Sequence, residues 1–290
     1  MDGQLIAAPM TPSQLTAYLQ RVVYGGPTDP TLATLRALVL AHGMHLPFEN
    51  LDPLMGIPVE DLAPATLVEK MVRHRRGGYC YEHNSLFRSV LTAMGFEADA
   101  LGGRVVWANP DGLHGPPTAQ THMALAVRIP GVDERHLVDV GFGGMSPTSP
   151  LRFETGDVQQ TPHQPYRLLA APDGHEDRFV LETLIGDRWL PMYTFADMPR
   201  PLIDLQVGSW YVSTYPSSVF VVGVSASLVT ADERWNLRGR HLSIHRSDGQ
   251  TERIRFDNAS QVLDTLVNRF GIDVGGIGDV HARISEVLDT

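Results

Sequence analysis

The chain has 290 residues, of which 43% are hydrophobic and 19% charged, and its formal net charge is -10. That composition builds a packed core over two or three domains and excludes a disordered chain. The acidic balance excludes wholesale nucleic-acid binding, which needs a basic face to neutralise phosphates.

The opening MDGQLIAAPM has no cationic segment followed by an apolar run, so it does not read as a secretory leader. Thr11-Pro12 is a helix start, with an N-cap followed by proline at the first helical position. Leu15, Leu19 and Val22 then fall on one face. Asp29-Pro30 repeats the signal, and Leu32, Leu35, Leu38 and Val39 form the next stripe, stopped by Gly43. A third helix starts near Pro64, with Leu67 and Met71 inward. A fourth carries Leu86, Val90, Leu91 and Met94 and ends at Gly95.

After Gly95 the period changes towards two. Arg104 to Trp107 reads as a short strand. His122 to Ile129 alternates, with His122, Ala124 and Ala126 on one side and Met123, Leu125 and Val127 on the other. His136 to Val140 is a further strand, followed by Gly141-Phe142-Gly143-Gly144. Tyr166 to Ala170, Phe179 to Leu184 and Trp189 to Phe195 follow, with Gly186-Asp187 as a hairpin turn. Ser218 to Val224 and Leu228 to Ile244 read as strands, and Asp248-Gly249 joins two more. Val262, Leu263, Leu266, Val267 and Phe270 mark a helix stopped by Gly271. No apolar stretch is long enough to span a membrane.

The single cysteine, Cys80, cannot form an internal disulfide, and a cytoplasmic location is the expectation. One cysteine, and no HExxH pair among the twelve histidines, leaves no zinc signature, so no metal is expected. Cys80 follows Arg75-Arg76-Gly77-Gly78-Tyr79 directly into the fourth helix. Unpaired N–H groups and the positive end of the helix dipole favour a thiolate there. The competing reading is a small buried hydrophobe. Core packing asks for neither a Gly-Gly pair before the residue nor the polar Glu82-His83-Asn84 after it.

A cysteine nucleophile needs a base and an orienting group, normally distant in sequence. His122 begins a clear strand, beside two alanines that leave it room. Asp139 sits inside the apolar Leu137-Val138-Asp139-Val140, where an unpaired carboxylate is costly. An imidazolium would be a suitable partner for it. A structural salt bridge, or capping of nearby backbone N–H groups, remains an equal alternative on the residues alone.

Together these segments resemble the arylamine N-acetyltransferase family, from about Thr11 to Ile272. The resemblance rests on Ala41-His42 and Leu46-Pro47-Phe48-Glu49-Asn50-Leu51, then Arg76-Gly77-Gly78-Tyr79-Cys80-Tyr81-Glu82. It continues through Thr121-His122, Val138-Asp139-Val140-Gly141-Phe142-Gly143-Gly144 and Pro216-Ser217-Ser218-Val219-Phe220. It implies an α+β chain with a cysteine-protease-like triad. The expected parts are a helical domain over 1–96 carrying the nucleophile, a β-barrel-like domain over 97–205 and an α/β lid over 206–290. It also implies a catalytic triad of Cys80, His122 and Asp139, with acetyl-CoA as acyl donor and no metal. Thr121, Phe142, Gly143, Ser218 and Phe220 are expected to contact the donor. Tyr81, Phe48, Phe142 and Phe220 are expected to line the acceptor side.

Arg76 and Glu82 read as structural, paired with each other or with the central domain. Gly275-Gly276-Ile277-Gly278 reads as a loop and not as a dinucleotide site. The implied acceptors are arylamines, arylhydrazines or hydrazides, and the implied assembly is a monomer or homodimer, with no nucleic-acid or membrane partner. The alternatives are an amide synthase closing a macrolactam from a long acyl thioester, a Cys–His–Asp hydrolase, and a non-enzymatic ligand-binding or redox-sensing module on the same fold.

Overall fold

A computed structural model describes residues 8–172 and 177–289. The stretch Met1 to Ala7, part of the segment read for a leader, lies outside the described residues. The first third is helical, with α1 (Pro12–Arg21), α2 (Leu32–His45), a two-residue strand β1 (Phe48–Glu49), α3 (Leu51–Leu54), α4 (Pro64–Leu67) and α5 (Cys80–Ala93). Thr11 caps α1 through a capping box with Gln14, and Pro12 fills the first turn, where the missing N–H costs nothing. α4 passes directly into a π-helical turn, Val68–Arg73.

The central strands are β2 (Glu97–Val105), β3 (Gln120–Arg128), β4 (Arg135–Val138), β5 (Leu151–Arg152), β6 (Tyr166–Ala170), β7 (Phe179–Ile185) and β8 (Arg188–Pro199). They form an antiparallel sheet in the order β5-β4-β3-β2-β8-β7-β6. The segment after β5 links the two edges. Gln159 bonds the Arg152 backbone through its side chain and Tyr166 through its backbone, and Gly156 N–H donates to Leu168 O. The sheet is therefore barrel-like, with little open edge.

The chain continues through α6 (Leu202–Thr214), α7 (Val219–Val222), β9 (Ser225–Val229), β10 (Glu233–Arg238), β11 (His241–Arg246) and β12 (Thr251–Arg255). It closes with α8 (Ala259–Asp264), a π-helical turn (Thr265–Arg269) and α9 (Val280–Asp289). β9 to β12 form an antiparallel sheet that β1 extends at its edge, pairing Phe48 with Ser227. The N-terminal part thus supplies a strand to the C-terminal sheet. Among the described residues no helix is long and apolar enough to cross a membrane.

Three buried clusters underlie this arrangement. Helices α1, α2 and α5 pack on Met123, Leu125 and Val127 of β3. The other face of β3, with Ala124 and Ala126, closes the barrel interior with Tyr166, Leu168, Tyr193 and Phe195. The alternation expected of this strand is what divides the two cores. The third cluster joins Leu51 and Leu54 to the C-terminal sheet and to α8 and α9.

The structure corrects several expected elements. Ser218 to Val224 is not a strand. Ser218 caps the short helix α7, its hydroxyl accepting from Phe220 N–H at 3.3 Å, so a local cap overrides the β preference of the valines. The strand expected at Arg104 is the end of a longer one that begins at Glu97 and runs through Gly102 and Gly103. A Cβ on Gly102 would lie 2.6 Å from the Gln120 side chain, and one on Gly103 would crowd Tyr193. Close approach, not chain breaking, explains this glycine pair. Leu228 to Ile244 is three strands separated by turns. β1, α3, α6 and α9 were not expected, and α9 gives the tail after Ile272 a packed role.

Candidate active site

Cys80 is the first residue of α5, so the unbonded N–H groups of the first turn surround its backbone. Glu82 accepts from Tyr79 N–H at 3.1 Å and fixes how the chain enters the helix. The turn can sit close to the barrel because Gly141 has no side chain. A Cβ there would lie 2.8 Å from Cys80 Cα and 2.8 Å from the Asn84 amide nitrogen.

His122 lies on β3, facing the barrel interior. Asp139 follows the end of β4, one register step beyond the Leu125–Val138 pair. His122 Nε2 donates to Asp139 Oδ2 at 2.7 Å, which leaves Nδ1 for Cys80. The Cys80 side chain is near enough to act electrostatically on the His122 ring, and its sulfur stands 3.6 Å from the Thr121 carbonyl. Cys80 is 4% exposed, His122 2% and Asp139 1%, so the three groups meet out of bulk water.

Burial pulls the imidazole down. The Asp139 charge and its hydrogen bond, with the Cys80 contact, outweigh that and push His122 up to about 10. Asp139 shows the complementary balance. Burial pushes the carboxyl up, but His122, Asn84 and the Gly141 N–H hold it below the usual carboxylate range. The pair is therefore an imidazolium facing a carboxylate at neutral pH.

Asn84 is a site residue that the sequence reading did not single out. Its amide donates to Met123 O at 2.7 Å and to Asp139 Oδ1 at 3.0 Å, and its oxygen accepts from Val140 N–H at 3.2 Å. It pins Asp139 from the same helix that carries Cys80. The available signal was spacing: an asparagine four residues after the nucleophile lies on the same face of the helix. The Tyr193 ring, 4.6 Å from that of His122, was also missed.

The other expected residues fall in two aromatic groups. Phe142 packs edge-on against His122 at 5.3 Å and contacts Trp107 and Tyr193. Phe48 packs against Phe220 at 5.9 Å, and Phe220 stacks on Tyr79 at 5.4 Å. Tyr81 meets Tyr79 edge-on, and its hydroxyl donates to Gln120 O at 3.3 Å. Gly143, at φ +80°, faces Phe48, where a Cβ would sit 3.4 Å from the ring. Thr121 reaches the thiol only through its carbonyl. Ser218 is joined to the group only as the cap of α7. A small pocket lined by Phe48, Gly143, Ser227 and Val140 lies beside the triad, and none of the triad residues lines it.

Arg76 and Glu82 do not pair with each other or with the central sheet, contrary to expectation. Arg76 bonds Glu49 at 2.8 Å and Asp52 at 2.7 Å, while Lys70 bonds Asp52 and Glu82, each at 2.6 Å. Three carboxylates thus share two cations. Burial, with its acidic neighbours, pushes Glu82 up to about 7. The network locks the Gly77-Gly78 approach to Cys80. Among the described residues, no three His, Cys, Asp or Glu side chains cluster so as to hold a metal ion.

A thiol at a helix start, beside an imidazole held by a carboxylate, is an arrangement for acyl transfer through cysteine. The comparisons make the class specific. A sequence model of the N-acetyltransferase family matches residues 31–279. The arylamine N-acetyltransferase of Mycolicibacterium smegmatis is 56% identical over 278 residues, 95% of this chain and 98% of that protein. That of Mycobacterium tuberculosis is 51% identical over 277 residues, 94% of this chain and 95% of its own. The solved structure of Mycobacterium marinum arylamine N-acetyltransferase in complex with CoA superposes with a TM-score of 0.88 at 53% identity, covering 94% of this chain and 99% of that one. The chain belongs to the arylamine N-acetyltransferase family.

Proposed function

We propose that this protein moves an acetyl group from acetyl-CoA to the nitrogen of arylamines, arylhydrazines or hydrazides through an acetyl-cysteine at Cys80. The observation that carries the reading is the His122–Asp139 pair set against Cys80 at the start of α5 in a chain of this family. The names of the relatives favour it over macrolactam closure and over hydrolysis.

His122 and Cys80 act as a thiolate–imidazolium pair held by Asp139. The thiolate attacks the acetyl thioester, and the free N–H groups of the first turn of α5 stabilise the oxyanion. CoA leaves as the thiol, taking its proton from the His122 imidazolium, and Cys80 carries the acetyl group. An acceptor nitrogen then attacks that thioester, His122 takes its proton, and Cys80 is released. Donor and acceptor use one cleft in turn, so the order is ping-pong. Weakly basic aromatic amines stay neutral and nucleophilic at neutral pH, whereas alkyl amines are mostly protonated.

In this reading Thr121, Phe142, Gly143, Ser218 and Phe220 contact the donor. Tyr81, Phe48, Phe142 and Phe220 line the acceptor side. Residues 1–96, 97–205 and 206–290 serve as nucleophile-bearing, base-bearing and covering units, with α6 bridging the last division. We infer a cytoplasmic enzyme, monomeric or homodimeric.

Intact-mass measurement after incubation with acetyl-CoA and no amine tests the chemistry. The expected result is one acetyl group on the wild type and none on Cys80→Ala, with the group lost when an aromatic amine is added. An unmodified wild type whose thiol still alkylates readily would overturn the donor assignment.

A further inference from the structure

Behind the site, three helices bring together polar groups that the chemistry above does not use. Tyr18 of α1, His42 of α2 and His83 of α5 are 0%, 0% and 1% exposed. The Tyr18 hydroxyl lies 2.9 Å from His42 Nδ1. His42 Nε2 lies 2.8 Å from His83 Nδ1, and His83 Nε2 lies 3.1 Å from the Pro47 carbonyl.

The end group fixes the direction of the chain. A carbonyl only accepts, so His83 Nε2 carries a hydrogen. No carboxylate touches either ring, and burial holds both imidazoles neutral, His42 well below its usual range and His83 at about 4. His83 Nδ1 is then an acceptor, His42 Nε2 a donor, and His42 Nδ1 an acceptor for the Tyr18 hydroxyl. Three hydrogens serve three bonds, all pointing towards Pro47.

The far end is where the site is built. A Cβ on Gly77 would fall 1.9 Å from the Pro47 carbonyl oxygen, so the loop into Cys80 crosses directly over it. Glu49 N–H donates to Gly78 O at 2.8 Å at the same crossing. The Phe48 ring lies within 6° of parallel to His83, with centroids 6.3 Å apart, and its other neighbours are Phe220 and Gly143.

We propose that Tyr18, His42 and His83 form a one-directional hydrogen-bond chain that positions Phe48, and so sets the preference for an aromatic ring on the acceptor. They are positioning residues, since none of them touches the reacting atoms. The inference rests on the reading of Phe48 as a wall of the acceptor side. Loss of one link leaves a buried polar group unpaired and frees the Pro47–Phe48 segment to shift.

The test compares two acceptors, an aniline and unsubstituted hydrazine, in wild type, Tyr18→Phe, His83→Leu and His83→Gln. The readout is the aniline-to-hydrazine ratio of kcat/KM, with the rate of CoA release in the first half-reaction measured alongside. The ratio should fall about tenfold in His83→Leu through a raised KM for the aniline, and less in Tyr18→Phe. His83→Gln, whose amide can still donate to Pro47, should recover most of it. CoA release in Tyr18→Phe should stay within about twofold of wild type, because the hydroxyl that is lost bonds His42 and not Cys80.

An unchanged ratio in folded Tyr18→Phe and His83→Leu would overturn the proposal. So would an equal fall for both acceptors, which marks a general packing defect. If His83→Leu does not fold, Tyr18→Phe decides alone. Failure of the wild type to form acetyl-Cys80 would instead strike the proposed function, so the two failures are distinguishable.

Discussion

Two regions of this molecule bury imidazoles to the same depth and leave them in opposite states. His122 is pushed up to about 10, and His83 is held at about 4. In both places burial lowers the charged form. At His122 a carboxylate at 2.7 Å overturns that effect. At His83 the bonded neighbours are a second imidazole and a carbonyl, and burial outweighs the opposing pull of the Pro47 carbonyl and the more distant Glu49 charge. The partner, rather than depth, decides whether a buried ring is a cation ready to give a proton or a neutral link in a chain.

The most severe way to break this contrast is Asp139→Asn, which removes the charge and keeps the shape. His122 should then behave like His83 and lose its proton near or below the ordinary histidine range. Activity should fall by about 10³- to 10⁴-fold, as when the acid of a hydrolase triad is replaced by its amide. Turnover of an aniline, and the imidazole resonances followed by NMR across pH, would check both halves. A variant that kept its activity while His122 titrated like a free histidine would sever the link between the raised proton affinity and catalysis.

The same rule applies to carboxylates. Glu49 is fully buried, and burial raises it, yet Arg76 and Lys70 hold it below the usual range. Arg76→Met removes the ion-pair partner of Glu49 and leaves Lys70 as the one cation among Glu49, Asp52 and Glu82. Loss of stability on the order of 3–5 kcal/mol is expected, because an uncompensated buried charge costs more than the pair contributed. The midpoint of chemical denaturation measures it. A loss under about 1 kcal/mol would mean that water reaches the cluster and screens the carboxylates left without Arg76.

Cys80, His122 and Asp139, which the fold brings together, each broke a local pattern in the sequence, and it was the family resemblance that joined them into one expected triad. Cys80 followed two glycines, His122 opened an alternating strand, and Asp139 sat among valines where only a paired carboxylate is tolerated. The two faces of β3 were legible for the same reason, since a period of two sorts Met123, Leu125 and Val127 from the alanines. What stayed hidden was set by contacts between distant segments. Asn84 acquires its role from Met123 and Asp139, 39 and 55 residues away. The histidine chain needs three separate helices before it exists. α7 hid because Val219, Val221 and Val222 favour a strand until Ser218 caps them. α6 hid because apolar residues surround it, with Ile203, Val207 and Trp210 exposed and Leu205 and Val212 buried, so no face stands out.

The smallest expected effect sharpens the comparison most, because its two halves carry opposite signs. The folded-state affinity of His122 is raised, so its contribution is fully present below pH 6.5 and is lost as pH rises towards about 10. The folded-state affinity of His83 is lowered. The unfolded chain then binds the extra proton, so stability falls as pH drops from 6.5 towards about 4. His42 adds to the same acid limb. The charged groups acting on these two rings are Arg21, Glu49 and Lys70, and Glu49 opposes the shift. At about 1.4 kcal/mol per unit, each limb is worth a few kcal/mol. Denaturation midpoints across pH should show His83→Gln flattening the acid limb and Asp139→Asn flattening the alkaline one. If one substitution flattened both limbs, the two regions would be coupled through α5, and the contrast between them would belong to a single network.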